Sequence, residues 1–129
     1  DGVVVGTAAL GLFPTIPGTV GELVEHEGVL RAGGTQCSLE RLYLLSEARG
    51  TGLGADLMRT TLQEAQQRGC AAMEIWSDKE FEAAHRLYAK FGARTIGDRL
   101  CHDPNQSPEW GLVLPLSRPV FLRATPSGD

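Results

Sequence analysis

The sequence predicts an α/β domain on a mixed, mostly antiparallel sheet with flanking helices, and three observations predict it. Apolar and β-branched runs alternate with two helical stripes in the order strand, strand, strand, helix, strand, helix, strand, strand. The central strand–helix–strand unit calls for a parallel pair joined by a right-handed crossover, with the flanking strands antiparallel. The 129 residues, 42% hydrophobic and 22% charged, suit one domain with one core.

The first strand runs from Val3 to Phe13, and the cluster Pro14 to Gly18 turns the chain. Val20 to Leu30 alternates apolar and polar residues and predicts a second, more exposed strand, followed by a loop over Arg31 to Gln36 that contains Gly33-Gly34. Cys37 to Leu45 is the third strand. A helix is expected from Gly52 to Arg68, because Leu53, Leu57, Met58, Leu62 and Ala65 form a 3.6-residue stripe and Gly69 ends it. Ala71 to Trp76 is a strand, and Lys79 to Phe91 a helix with Phe81, Ala84, Leu87, Tyr88 and Phe91 on one side. Arg94 to Leu100 and Trp110 to Leu116 complete the set, separated by a polar loop.

The net charge of −4 and a pI near 5.3 argue against a nucleic-acid binder, which is normally basic. They suit an ordinary soluble surface and are compatible with a cationic substrate. Cys37, Cys70 and Cys101 are odd in number and widely spaced, which indicates neither a disulfide framework nor a zinc site. With no apolar run near the roughly 20 residues that span a bilayer and no leader-like opening, a cytoplasmic protein without a membrane partner is expected.

The segment Arg49-Gly50-Thr51-Gly52-Leu53-Gly54 lies between a strand and a helix. Glycines let backbone N–H groups approach a ligand, and the helix start adds unsatisfied donors and a partial positive charge. Together they form an anion cradle suited to a pyrophosphate, to which Arg49 can add a charged contact. A P-loop is excluded, because no lysine follows the last glycine. A dinucleotide fold stays open: Gly50 and Gly52 can begin its fingerprint, with Ala55 in the third position. A ligand-free turn stays open too.

RxxGxG after a strand ending Leu-Tyr-Leu-Leu-Ser-Glu resembles the coenzyme-A motif of the GNAT superfamily of N-acetyltransferases. The run from Ala84 to Ala93, Ala-His-Arg-Leu-Tyr-Ala-Lys-Phe-Gly-Ala, is similar to the family's A-x-x-L-Y-x-x-x-G-F helix, at the expected distance after the first motif. The resemblance covers roughly residues 1 to 116. It implies acetyl-CoA, as co-substrate and without a metal, in a cleft where two parallel strands splay apart. These would be Cys37 to Leu45 and Ala71 to Trp76. Backbone of Leu42, Tyr43 and Leu44 would pair with the pantetheine arm, and N–H groups from Gly50 to Gly54 would hold the pyrophosphate.

Three departures accompany it. Phe81 stands where many members carry asparagine, with Asp78 three residues earlier as a related group. Ala93 replaces the phenylalanine of the Gly-Phe pair. The family's opening strand and two helices have no counterpart before Val3, so residues 1–129 are expected to be a single acetyl-CoA-binding domain without that part.

The implied reaction moves acetyl from acetyl-CoA to a primary amine by direct attack in a ternary complex. Tyr88 is the candidate general acid, since a phenol with a pKa near 10 is protonated at neutral pH. Glu40 is the candidate base; strict alternation puts it on one strand face with Leu42 and Leu44. The resemblance suggests the N–H of Leu44 as an oxyanion donor. His85, one turn before Tyr88, is more ordinary as a solvated helix histidine than as a ligand contact, and His102 and Asp103 sit in the late loop. Trp76 and Trp110 read as packing residues. The acceptor, small molecule or peptide, is not specified, and a homodimer is one way to supply a missing wall. A non-catalytic acetyl-CoA sensor or regulatory module is the competing reading.

Overall fold

The computed structural model of the chain describes residues 6–44, 52–101 and 104–116. Its elements run β1 (Gly6–Leu12), β2 (Leu23–His26), β3 (Val29–Ala32), β4 (Cys37–Leu44), α1 (Leu53–Gln67), β5 (Ala72–Asp78), α2 (Glu82–Lys90), β6 (Arg94–Leu100) and β7 (Pro108–Pro115). Five strands form one sheet in the order β1-β4-β5-β7-β6, and β2 pairs with β3 in a separate two-stranded sheet. Among the described residues only β4 and β5 run parallel; β1–β4, β5–β7 and β6–β7 are antiparallel. The expected architecture is therefore the observed one: a mixed, mostly antiparallel sheet with a central parallel pair.

Alternation assigns the two faces of the sheet. Cys37 and Leu39 of β4, Met73 and Ile75 of β5, and Leu112 and Leu114 of β7 turn toward the helices, where Met58 and Ala65 of α1 and Tyr88 of α2 complete one buried cluster. Both helices thus cover the same face. The opposite face carries Ser38, Glu74 and Trp76, and the β2–β3 hairpin lies against it.

One expected element is corrected. Val20 to Leu30 is not one strand but part of a hairpin, and the predicted loop at Arg31 begins inside β3. The chain reverses at Glu27 and Gly28, which take φ values of 55° and 82°. Two consecutive positive φ values make the tight turn whose twist matches paired strands. Its usual signature is Asn-Gly or Asp-Gly; Glu-Gly is an uncommon variant, so the turn was hidden in an alternating run.

Three thiols are free, with Cys37 and Cys70 buried and Cys101 half-buried. Burial, and then the neighbouring Cys70, push the Cys37 thiol far above its ordinary range. Alkylation of the native chain is expected to reach Cys101 first and to reach Cys37 only on unfolding, as mass spectrometry of partly labelled protein would read out.

Candidate active site

The parallel pair is closed at one end and open at the other. At the closed end the Gln36 N–H donates to Ala72 O at 3.2 Å, and the Gln36 side-chain oxygen accepts the N–H groups of Ala71 and Ala72 at 2.7 and 3.2 Å. Cys37 then pairs with Met73 and Ser38 with Glu74, and there the β4–β5 ladder stops. Beyond it β4 continues beside β1 as far as Leu44 opposite Gly6, while β5 continues beside β7 as far as Asp78 opposite Glu109.

A bulge accounts for the parting. Ala9 of β1 faces Arg41, yet its neighbour Leu10 faces Leu39, so Glu40 is an extra residue in β4. A bulge bends its strand and adds twist, which here turns β4 away from β5. It also changes which residues share a face. Cys37, Leu39 and, after the bulge, Leu42 all pack on the helix-side core. Glu40 does not share a face with Leu42, as strict alternation had suggested. It is exposed on the opposite side, where its carboxylate accepts a hydrogen bond from Ser38 Oγ and lies over Gly11 of β1.

The element after β4 in the chain is α1. Gly52 occupies the N-cap position with φ 88°, and Gly54 is buried within the first turn. A side chain at Gly52 would meet no neighbouring atom, so the requirement is conformational: this φ is left-handed. Gly52 offers no side chain to the N–H groups of the first turn, and a helix start of this kind favours an anion. Arg49, Gly50 and Thr51 lie outside the described residues.

On the helix side, Tyr88 is 5% exposed, and burial raises its phenol above the ordinary value of 10. Its ring centroid is 6.4 Å from that of His85, and His85 Nε2 lies 3.1 Å from Ser77 Oγ, in the separated part of β5. His85 is half-buried, and its contact with Ser77 links α2 to β5.

On the hairpin side is a cavity of about 480 Å³. Glu40, Ser38, Glu74 and Trp76 from the strands line it, together with residues of the hairpin. Trp76 lies flat across Gly111, where an added methyl group would come within 2.5 Å of its ring. The Arg99 guanidinium covers its other face at 4.1 Å. Gly111→Ala is expected to displace this ring and to cost about 1–3 kcal/mol of stability by overpacking, checked by thermal unfolding.

Residues 1–93 match the acetyltransferase (GNAT) family. The chain belongs to the GNAT family. N-acetyltransferases of Mycobacterium bovis and Mycobacterium tuberculosis, themselves uncharacterised, are 32% identical to it over 79 residues, 61% of this chain and 51% of each relative. The chain thus spans about half the length of the curated relatives it matches. Solved GNAT structures share the fold. The NatC complex bound to Gag peptide and CoA superposes with a TM-score of 0.67 at 21% identity, over 90% of this chain and 64% of that one. Arabidopsis thaliana Naa50, in complex with a bisubstrate analogue, gives 0.58 at 20% identity, over 84% and 64%. The ribosomal-protein-S18-alanine N-acetyltransferase of Escherichia coli gives 0.54 at 21% identity, over 67% and 61%.

Within this GNAT chain the predicted site residues fall into two groups. Leu42, Tyr43 and Leu44 lie on the separated half of β4, and Gly52, Leu53 and Gly54 at the start of α1. Tyr88 and Glu40 sit on opposite faces of the sheet and do not touch. Phe81, at the asparagine position of other members, is 59% exposed before α2. Asp78 accepts the Glu80 N–H at 2.9 Å and so holds the turn before that helix. Sequence reading missed Arg31, Glu74, Trp76 and Arg99 as a group. One signal was available: Glu74 is a lone carboxylate inside the apolar run Ala72 to Trp76, and a charge in a central strand needs partners. Among the described residues, no helix is long and apolar enough to cross a membrane.

Proposed function

We propose that this chain binds acetyl-CoA in the opening between β4 and β5 and transfers its acetyl group to a primary amine. The observation that carries the reading is the parting of the strands after Ser38 and Glu74, with β4 followed along the chain by the left-handed glycine start of α1. Pairing ends there, so the inner edge of β4 leaves polar backbone for an extended ligand. The amide-bearing pantetheine arm suits the backbone of Leu42, Tyr43 and Leu44 in the manner of an added strand. Arg49, Gly50, Thr51, Gly52, Leu53 and Gly54 take the pyrophosphate.

The thioester then lies between the two faces. The amine approaches from the cavity side and must first lose its proton, since a lysine-like amine has a pKa near 10.4. Glu40, directly or through a water, accepts that proton. The nitrogen bonds to the acetyl carbon, N–H groups on the freed edge of β4 stabilise the oxyanion, and the C–S bond breaks. Tyr88, protonated and buried on the helix side, gives its proton to the departing sulfur, and the proton that the new amide nitrogen sheds returns to the phenolate and restores it. Two neighbours of this fold were solved with a peptide or a peptide-bearing analogue and CoA, which supports a peptide N-terminus as one acceptor class.

The test is CoA-thiol release with a panel of small amines, amino acids and peptides. Release that depends on one class of amine supports the reading; binding of acetyl-CoA with no release across the panel would favour a regulatory module instead. Glu40→Gln is expected to lower kcat/KM by roughly 10² at neutral pH, read as loss of base assistance, with acetyl-CoA binding retained.

A further inference from the structure

The segment between β1 and β4 is longer than their pairing requires. These strands are antiparallel neighbours, which a tight turn can join, yet residues 13–36 intervene and build the β2–β3 hairpin. Five of the twelve residues lining the cavity come from this segment: Phe13, His26, Glu27, Val29 and Arg31. The hairpin is also fixed in place rather than merely near. Glu74, 2% exposed, accepts the Ala32 N–H at 3.0 Å through Oε1 and the Arg31 Nε–H at 2.7 Å through Oε2. The same Oε1 accepts the indole N–H of Trp76 at 2.9 Å. Arg99, stacked on Trp76, donates to Leu30 O at 2.8 Å. The Arg31 guanidinium in turn lies 4.7 Å from the centre of the Phe13 ring.

One carboxylate therefore joins the hairpin backbone, a hairpin side chain and the floor of the cavity. Burying it is costly, and apolar packing would hold a hairpin down as well or better. What a satisfied polar network adds is a single geometry: slippage of β3 by one residue would break the Arg31 and Ala32 bonds to Glu74 and the Arg99 bond to Leu30, and turn every side chain of β3 to the other face.

We infer that the β2–β3 hairpin is the wall that selects the acceptor, and that Glu74 is the residue that positions it. This rests on the transfer activity proposed above. Glu74 is a positioning residue: it acts through Arg31, Ala32 and Trp76, not on the reacting atoms.

The test is Glu74→Gln, which keeps the shape and removes the charge. The acceptor KM is expected to rise about tenfold, with kcat and the acetyl-CoA-induced thermal shift unchanged, because uniform binding of the acceptor is what the wall supplies. Hydrogen exchange at the amides of Leu30 to Ala32 is expected to quicken about tenfold, with α1 unaffected. Arg31→Met added to Glu74→Gln should raise KM little further, since both act through one network. If Glu74→Gln fails to fold, Arg31→Lys, which keeps the charge and loses the Nε bond, carries the same expectation on a smaller scale. Unchanged acceptor KM together with unchanged hairpin exchange would overturn the inference. If the unaltered chain acetylates no amine, the transfer reading falls and the acceptor-selecting wall with it. The exchange measurement still decides separately whether Glu74 positions the hairpin.

Discussion

Tyr88→Phe is expected to lower kcat by about 10², while acetyl-CoA stabilises the variant as well as it stabilises the parent chain. The substitution removes one oxygen from a residue 5% exposed in the helix-side core, so the packing of the ring is preserved. What is lost is the proposed proton donor to the leaving thiolate. Burial raises the phenol of Tyr88 above its ordinary value of 10. The folded chain therefore holds this proton more tightly than the unfolded one. The contribution to stability is fully present below pH 10 and is lost as pH rises through the elevated value. In the pH profile of kcat, the alkaline loss due to Tyr88 should lie above pH 10 and be absent in Tyr88→Phe. A variant with unchanged kcat would assign Tyr88 to packing alone.

Ile75→Ala is expected to cost about 3 kcal/mol of stability, lowering the unfolding midpoint by roughly 10 °C. Ile75 is 1% exposed and lies on β5, the strand shared by the open pair and the β5–β7 ladder. Its side chain sits in the cluster with Met58, Tyr88 and Leu112, where interior packing leaves little room to collapse around a deletion. Below the new midpoint the amine preference should be unchanged, because Ile75 faces the helices and not the cavity. A loss under 1 kcal/mol by denaturant unfolding would show that the core relaxes around the gap.

The sequence carried the architecture well where periodicity was strong. The stripe of Leu57, Met58, Leu62 and Ala65 fixed α1 to within a residue at each end, and the apolar strands on either side of it implied the parallel pair. Local irregularities were less legible. The bulge at Glu40 adds one residue without changing composition, and so the face shared by Leu39 and Leu42 was misread. The hairpin reversed at Glu27-Gly28, a turn lacking the common Asn or Asp. The family motifs marked the proposed cofactor side of the site, from Leu42 to Gly54 and at Tyr88. They were silent on the cavity side, because Arg31 on β3, Glu74 and Trp76 on β5 and Arg99 on β6 come together only in the fold, from elements distant in sequence.

The most direct test of the central claim is thermal unfolding of the chain with and without acetyl-CoA, with NAD as the control. At about 100 times its dissociation constant, a ligand that binds only the folded state stabilises by roughly 2.7 kcal/mol. For a domain of this size that is a shift on the order of 10 °C. That shift is expected with acetyl-CoA, and none with NAD. A cooperative transition that acetyl-CoA does not move would contradict the central claim and leave the opening between β4 and β5 without its ligand.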